Sequence, residues 1–106
     1  MTNVLINAPK TAKRGEVIEL KTLILHPMET GFRAGTNGNL IPRNIIERFT
    51  ATWNGTEIFR IDLSPAISAN PFVSFYMRVP GPGELELTWT EDGGETAVER
   101  AKLEIV

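Results

Sequence analysis

Cysteine is absent from this sequence, and histidine occurs once. The first absence excludes disulfides, thiolate metal sites and a cysteine nucleophile within the printed residues. The second leaves His26 as the only imidazole available for catalysis or metal binding, and a zinc site needs three or four converging ligands. We therefore predict no metal site and no cofactor.

Long apolar runs and an excess of basic residues are also missing. No segment approaches the roughly 20 apolar residues of a membrane helix, and residues 1–7 lack the basic stretch and apolar core of a signal peptide. The formal net charge of −2 provides no basic field for nucleic acid. We expect neither a membrane nor a nucleic-acid partner, and no export signal in this chain.

Helical periodicity is missing too, whereas period-two alternation recurs along the chain. The 106 residues are predicted to form one domain, residues 1–106. Strand segments are predicted at residues 4–7, 15–26, 45–53, 56–63, 73–79, 85–89 and 97–105. The positions predicted to face inward are Ile18, Leu20, Ile24, Ile45, Phe49, Ala51, Trp53, Phe59, Ile61, Leu63, Val73, Phe75, Met77, Val79, Leu85, Leu87, Trp89, Leu103 and Ile105.

Turn signals separate these segments. Asn54-Gly55 is the dipeptide most typical of a two-residue type I′ hairpin, residues 80–83 form a stiff proline-glycine turn, and Asp92 begins another hairpin turn. About seven short strands with such turns, and Trp53 on the third, predict an all-β, immunoglobulin-like antiparallel sandwich.

The segment from His26 to Arg33, with the later run Pro42-Arg43-Asn44, has the densest mixed chemistry in the chain. Loops on a rigid scaffold commonly carry recognition. His26 precedes a proline, which favours extended geometry, so we predict that it ends the strand and hydrogen-bonds the loop backbone. A small hydrolase or a metal site using His26 is the less favoured alternative.

Acidic residues provide no paired acid and base in the sequence pattern. They fall mainly at outward strand positions, such as Glu84, Glu86, Glu99 and Glu104, and this predicts a solvated face. Several apolar residues also fall at outward positions, and with Met28 and Phe32 they are able to form a protein-binding patch. These outward apolar residues are Ile46, Ile58, Phe72 and Tyr76.

Several motifs together make the sequence specific. They include the segment from His26 to Arg33, the run 42–46, Asn54-Gly55, the run 63–71 and Thr88-Trp89-Thr90 with its Asp92-Gly93 turn. With these motifs the sequence resembles the SoxZ family, the Z subunits of the sulfur-carrier heterodimer in the Sox thiosulfate-oxidation system. The resemblance covers nearly the whole chain from about Gly15.

The resemblance implies a non-catalytic, immunoglobulin-type subunit that pairs with a SoxY-type subunit. The Y subunit carries sulfur intermediates covalently on a cysteine near the end of a flexible tail, and separate Sox enzymes dock transiently to process them. It also implies a periplasmic location, reached by co-export with the partner. A stand-alone adhesion or ligand-binding sandwich is the alternative from another class.

The resemblance does not place the partner-binding residues, so we predict them from the direction of side chains along the strands and from the chemistry of the loop. We predict that Leu23, Leu25, Ile46, Phe72 and Tyr76 contact the Y subunit. We predict that the loop residues face the heterodimer boundary or the docking enzymes. These loop residues are Met28, Glu29, Phe32, Arg33, Arg43 and Asn44.

Overall fold

A computed structural model describes residues 3–106, which form eight β-strands and no helix. The strands are β1 (Val4–Asn7), β2 (Thr11–Ala12), β3 (Val17–Ile24), β4 (Ile46–Trp53), β5 (Thr56–Asp62), β6 (Phe72–Arg78), β7 (Gly83–Glu91) and β8 (Thr96–Ile105). No helix in this described part is long and apolar enough to cross a membrane.

The strands form two sheets, of order β1-β3-β6 and β2-β8-β7-β4-β5. Every pairing is antiparallel except the short parallel pairing of β2 with β8. The predicted β-sandwich is confirmed, and its strand count rises from about seven to eight. The additional strand, β2, has only two residues, too few for alternation to reveal it.

The core lies between the two sheets and is aromatic at its centre. The Phe49 ring lies 5.1 Å from Trp89 and 6.1 Å from Phe75, measured between ring centroids, and Phe75 stacks on Phe59 at 4.6 Å. These residues come from both sheets, so their alternation correctly predicted the faces that meet. Burial of these large side chains removes the most apolar area from water.

Ile46 corrects one prediction. It was assigned to an outward, partner-binding position, but its side chain is fully buried, as is that of the preceding Ile45. Ile46 pairs with Glu91 whereas Arg48 pairs with Thr90, so Glu47 is an extra residue in β4. This β-bulge shifts the alternation by one position, and both isoleucines enter the core.

The hairpin between β4 and β5 turns at Asn54-Gly55, as predicted. Both residues have positive φ, 48° and 87°, as a type I′ turn requires. Along β5, Phe59 and Ile61 face inward as predicted, opposite Ala51 and Phe49, but Phe59 is only partly buried and Ile61 is 37% exposed. β5 is the edge of a five-stranded sheet facing only three strands, which leaves part of its inner face uncovered.

The molecule is elongated, with principal extents of 58 × 20 × 20 Å. The longest strand has ten residues and spans only about 33 Å. The remaining length therefore comes from the loops at the ends of the sandwich, including the segment between β3 and β4.

Candidate functional site

The long loop between β3 and β4 is ordered by its own backbone pairing. Glu29 and Asn44 form an antiparallel bridge with two N–H to C=O hydrogen bonds of 2.8 Å. Ala34 and Leu40 form a second bridge nearer the tip, and the Ile41 N–H donates to a carbonyl on the opposite arm. The loop is thus a short hairpin-like extension of the sandwich.

His26 anchors the base of this loop from inside the protein. Its side chain is 3% exposed. The ring Nδ1 accepts a 2.9 Å hydrogen bond from the Met28 N–H, so the ring proton lies on Nε2, which donates to Glu91 Oε2 at 2.7 Å. The prediction that His26 hydrogen-bonds the loop backbone is confirmed.

The backbone of His26 fixes a second loop. Its N–H donates to the Asn70 Oδ1 at 2.9 Å, and its C=O accepts from the Asn70 N–H at 2.8 Å. Asn70 has a positive φ of 56°, a conformation that asparagine tolerates better than most residues. The β3–β4 loop and the β5–β6 loop are therefore joined at His26.

Met28 corrects a further prediction, since it was assigned to the partner-binding loop but is 4% exposed. Its sulfur accepts a hydrogen bond from the Ile46 N–H at 3.3 Å. Its φ of 51° is unfavourable for a residue with a side chain. Burial of the side chain and the hydrogen bond to His26 offset that strain, so Met28 seats the loop instead of forming its surface.

Glu91 is the site residue that sequence reasoning missed. It is 5% exposed and continues the inward alternation of Leu87 and Trp89 along β7. Burial raises the pKa of its carboxyl, but the hydrogen bond from His26, with its other polar contacts, leaves that pKa below the ordinary value of 4.5. Period-two alternation extended by one step from Trp89 predicts this inward carboxylate.

His26 and Glu91 have the composition of an acid-base dyad, but neither side chain is accessible to a substrate. Both nitrogens of His26 are engaged by protein atoms, and neither His26 nor Glu91 faces solvent. Within residues 3–106, no group of three or more His, Asp or Glu side chains is placed to hold a metal ion. The arrangement supports the loop from beneath and offers no nitrogen to a substrate or an ion.

The exposed part of the loop brings five predicted residues together, and we call it the loop surface: Glu29, Phe32, Arg33, Arg43 and Asn44. Arg33 Nη2 donates to Glu29 Oε1 at 2.6 Å, which lowers the pKa of the Glu29 carboxyl and raises the pKa of the guanidinium. Arg43 Nε donates to Asp92 Oδ2 at 2.8 Å. Phe32 is 83% exposed on the same loop.

Gly31 makes the close approach of the two loop arms possible. Its φ is 88°, and a Cβ at this position would lie 3.0 Å from the Arg43 Cβ. Glycine alone tolerates both the left-handed conformation and this proximity. The histidine-to-arginine segment and the proline-arginine-asparagine run are therefore parts of one structure.

The second candidate region is the outer face of the three-stranded sheet. Leu5 pairs with Leu23, and Leu23 pairs with Phe72, so three apolar side chains form a row across β1, β3 and β6. We define the sheet surface as this row together with Leu25 and Tyr76. Phe72 is 61% and Tyr76 69% exposed, which is unusual for aromatic residues with no cover.

The sheet surface and the loop surface are connected through the chain at one end of the three-stranded sheet. Leu23 and Phe72 lie at the end of the sheet where β3 leads into His26 and the loop. Ile46 and Met28, by contrast, are in the core and contribute to neither surface. The partner contacts of the remaining nominated residues stay a prediction.

Similarity to solved structures supports the fold. A superoxide reductase (neelaredoxin) from Ignicoccus hospitalis superposes with a TM-score of 0.74 at 15% identity, covering 97% of this chain and 80% of that one. A variant of the same reductase gives 0.75, also at 15% identity, with 97% and 79% coverage. The sulfur carrier protein SoxY from Chlorobium limicola f thiosulfatophilum gives 0.71 at 16% identity, with 100% and 81% coverage.

These identities are low, so the structural likeness establishes the β-sandwich fold alone. No curated protein matches the chain. Residues 6–102, however, match the family described as "Sulphur oxidation protein SoxZ". That match extends over nearly all of the chain and confirms the resemblance read from its motifs, and the protein therefore belongs to the SoxZ family.

Proposed function

We propose that this chain is the non-catalytic subunit of a heterodimeric sulfur carrier in thiosulfate oxidation. Its partner in this proposal is a SoxY-type subunit whose cysteine carries the sulfur intermediates between Sox enzymes. Membership of the SoxZ family supports the assignment to the Sox system. The printed sequence contains no cysteine, which agrees with a division of labour in which the other chain holds the sulfur.

The observation that carries the proposal is the outward-facing apolar row in which half-buried Leu23 lies between exposed Leu5 and exposed Phe72. Exposed apolar area of this kind is stabilised when a partner removes it from water. Aromatic residues such as Phe72 and Tyr76 are enriched where protein interfaces are most tightly packed. We assign the sheet surface to the Y-type subunit.

The loop surface differs in chemistry and receives a different role. It combines an exposed Phe32 with charged side chains that are already held by internal ion pairs. Preorganised polar groups give specificity and orientation more than affinity. We assign it to the boundary of the heterodimer and to transient docking of the Sox enzymes.

A carrier with a mobile sulfur-bearing arm benefits from a rigid body of this kind. Docking of the body raises the local concentration of the tethered arm at each enzyme. The His26–Glu91 pair and the two loop bridges hold the docking loop in one conformation. In this proposal the Z-type chain provides the common docking shape and the partner provides the chemistry.

Co-expression with a SoxY-type subunit of the same genome tests the partnership. We expect a stable one-to-one complex by size-exclusion chromatography with light scattering. Thiosulfate-dependent electron transfer in a reconstituted Sox system should require both chains. A monodisperse chain that ignores the Y subunit, or turnover by this chain alone, would contradict the proposal.

Location is tested separately. We propose that the folded pair reaches the periplasm on the export signal of the partner. Cell fractionation should find this chain in the periplasm when the Y subunit carries its signal and in the cytoplasm when that signal is deleted. Periplasmic recovery of this chain without the partner would contradict co-export.

A further inference from the structure

A groove of about 710 Å³ lies on the side of the sandwich between β1 and β8. It is bounded on one side by residues 4–6 of β1, at one end by the link 8–11, and on the other side by residues 99–104 of β8. The groove lies at the edges of the two sheets, because β1 and β8 are each adjacent to an open side of their sheet. It is separate from the sheet surface, apart from Leu5 on its rim.

The outer edge of β8 is open along most of its length. β2 pairs with Glu104 and Ile105 only, although β8 begins at Thr96. The N–H groups of Glu104 and Val106 point toward β2, where they donate to the carbonyls of Lys10 and Ala12 at 3.0 Å. Even-numbered residues of β8 therefore direct their backbone groups to this edge.

Three of those residues line the open stretch: Val98, Arg100 and Lys102. Their backbone N–H and C=O groups point away from β7, and no strand in the range 3–106 pairs with them on the outer side. A row of free donors and acceptors is a template for another strand. The stretch from residue 98 to residue 102 spans about 13 Å, enough for five residues of an added strand.

The inner side of the same stretch has space for side chains. Ala97 and Ala101 occupy inward positions on β8, and Glu99 has the same parity but remains exposed. Both alanines pack against the core, and the small side chain of Ala101 lines the groove. Aliphatic side chains of an added strand would pack there against β1.

The outer side of the stretch carries charges of both signs, because Glu86 and Glu84 of β7 lie opposite Arg100 and Lys102, and Glu104 follows on β8. Arg100 and Lys102 both point outward from β8, and Lys10 lies at the end of the groove. Arg100 is held by Glu86 at 3.0 Å, whereas Lys10 and Lys102 form no ion pair with another described residue. Opposite charges across neighbouring strands are favourable, so acidic side chains suit the outer face of the added strand.

A second copy of this chain fits the edge poorly. In two-fold antiparallel pairing of β8 with itself, centring on residue 99 puts Glu99 opposite Glu99, and centring on residue 100 puts Arg100 opposite Arg100. Centring on residue 101 puts Arg100 opposite Lys102. Like charges directly opposite each other destabilise a strand pair.

We propose that the open edge of β8 and the adjoining groove bind an extended peptide segment of a partner protein, added as a strand in line with β2. The segment alternates aliphatic residues, which face Ala101, with acidic residues, which face Lys102. Strand addition to a sheet edge is an established mode of peptide recognition. The site does not depend on the sheet surface assigned to the Y-type subunit.

The direct test titrates the full chain with an acetylated, amidated heptapeptide that alternates valine and glutamate. Two-dimensional NMR should show binding, with slowed hydrogen exchange at the amides of Val98, Arg100 and Lys102. A peptide with lysine in place of glutamate should bind at least about tenfold more weakly at low salt. Equal binding of both peptides, or binding of neither, overturns the proposal.

N-methylated peptides test backbone pairing without any change to the protein. In an antiparallel pair, the peptide groups that bond β8 belong to the residues facing outward, so methylation at the glutamates abolishes binding and methylation at the valines does not. In a parallel pair the dependence is reversed. Loss with one of the two peptides supports strand addition, whereas loss with both or with neither overturns it.

A matched pair of proline variants locates the edge. Val98→Pro removes an edge N–H without removing a β7 hydrogen bond, and it should weaken binding about tenfold. Arg60→Pro does the same on the opposite edge of the sheet, on β5, and should leave binding unchanged. An equal loss in both variants contradicts the assignment to β8.

Sedimentation of the chain without peptide tests whether a second copy of the chain occupies the β8 edge instead. A concentration-dependent dimer that protects the amides of Val98, Arg100 and Lys102 would show that a second copy of the chain binds this edge. That result would overturn the proposal. The proposed function fails on a different observation, the absence of a complex with the Y-type subunit. The two failures are therefore distinguishable.

Discussion

The two outer faces of this sandwich differ in one region: the three-stranded sheet carries the ion pair of Lys21 and Glu19, but its end next to the loop is apolar. On the five-stranded sheet, cross-strand neighbours satisfy one another: Arg48 pairs with Asp62 at 3.1 Å and Arg100 with Glu86 at 3.0 Å. On the three-stranded sheet, the directly opposed residues Leu5, Leu23 and Phe72 are apolar. The first face pairs its charges within the chain, whereas the proposed partner would remove the apolar row of the second face from water.

Strand β7 shows how the direction of a side chain decides the environment of its carboxylate. Glu86 points outward from β7 into an exposed ion pair, and Glu91 points inward to the buried His26. Exposed pairs are screened by water and contribute little. A buried polar group, in contrast, is costly when its partner is removed. We therefore expect substitutions on the two outer faces, and substitutions of Glu86 and Glu91, to differ widely in their effects on association and stability.

Phe72→Glu should have the largest effect, on association with the Y-type subunit. A charge at the β6 end of the apolar row should weaken the complex about 100-fold, as expected for an aromatic residue that anchors an interface. The free energy of unfolding of the isolated chain should change by less than about 0.5 kcal/mol, because the side chain is already exposed. Calorimetric titration and urea denaturation measure the two quantities.

Ile58→Glu is the matched control for that variant. Ile58 is 40% exposed and lies on β5, in the other sheet. Its substitution should leave the affinity for the Y-type subunit unchanged. If both variants weaken the complex equally, the two faces do not differ in function.

Glu91→Ala should have the next largest effect, on stability. It leaves the buried Nε2–H of His26 without its acceptor, at a cost of about 2 kcal/mol. Glu86→Ala, on the same strand but facing outward, should cost less than about 0.5 kcal/mol. Denaturation midpoints at neutral pH measure both, and equal losses would show that the direction of the side chain does not matter.

The pH dependence of that difference sharpens the same contrast. The pKa of the Glu91 carboxyl is below 4.5 in the folded protein, so its contribution to stability is fully present above the pKa of the unfolded carboxyl. The contribution is lost as pH falls through the lower, folded-state pKa. The gap in stability between wild type and Glu91→Ala should therefore narrow as pH falls below 4.5.

That gap is measured by urea denaturation at a series of pH values. The corresponding gap for Glu86→Ala is small throughout and serves as the reference. A gap for Glu91→Ala that widens on acidification would contradict the direction of the pKa shift.

The smallest effect is expected for the exposed pair of Arg48 and Asp62. A double-mutant cycle with alanine at each position should give a coupling free energy below about 1 kcal/mol, falling further in high salt. Thermal denaturation of the four proteins provides the measurement. A coupling as large as the effect of Glu91→Ala would remove the contrast between exposed and buried pairs.

Much of the fold was predictable because alternation and turn chemistry are local properties. Phe49, Phe75 and Trp89 enter the core where period two places them, and Asn54-Gly55 makes the expected turn. Ile46 was misplaced because a β-bulge at Glu47 shifts the alternation, and a bulge depends on pairing with another strand. Ile61 faces inward as predicted but is 37% exposed, and nothing in the sequence states how many strands the opposing sheet has to cover it.

The sequence predicted which residues belong to the candidate site, but it did not predict which of them are buried. The loop from Glu29 to Arg33 does meet Arg43 and Asn44, joined by a backbone bridge and by the close approach at Gly31. Met28 lies beneath them because a positive φ turns its side chain toward Ile46. The open edge of β8 follows from the shortness of β2, which no residue pattern revealed.

The sequence by itself determined the β-sandwich, the family and the absence of a thiol, since these depend on local periodicity, motif and composition. Only the tertiary structure decided that His26 has Glu91 as its partner, 65 positions away, and that Ile46 and Met28 are core residues. It also decided which apolar residues line up into an outward-facing row. Contacts between distant strands depend on register and sheet size, and those are properties of the folded chain as a whole.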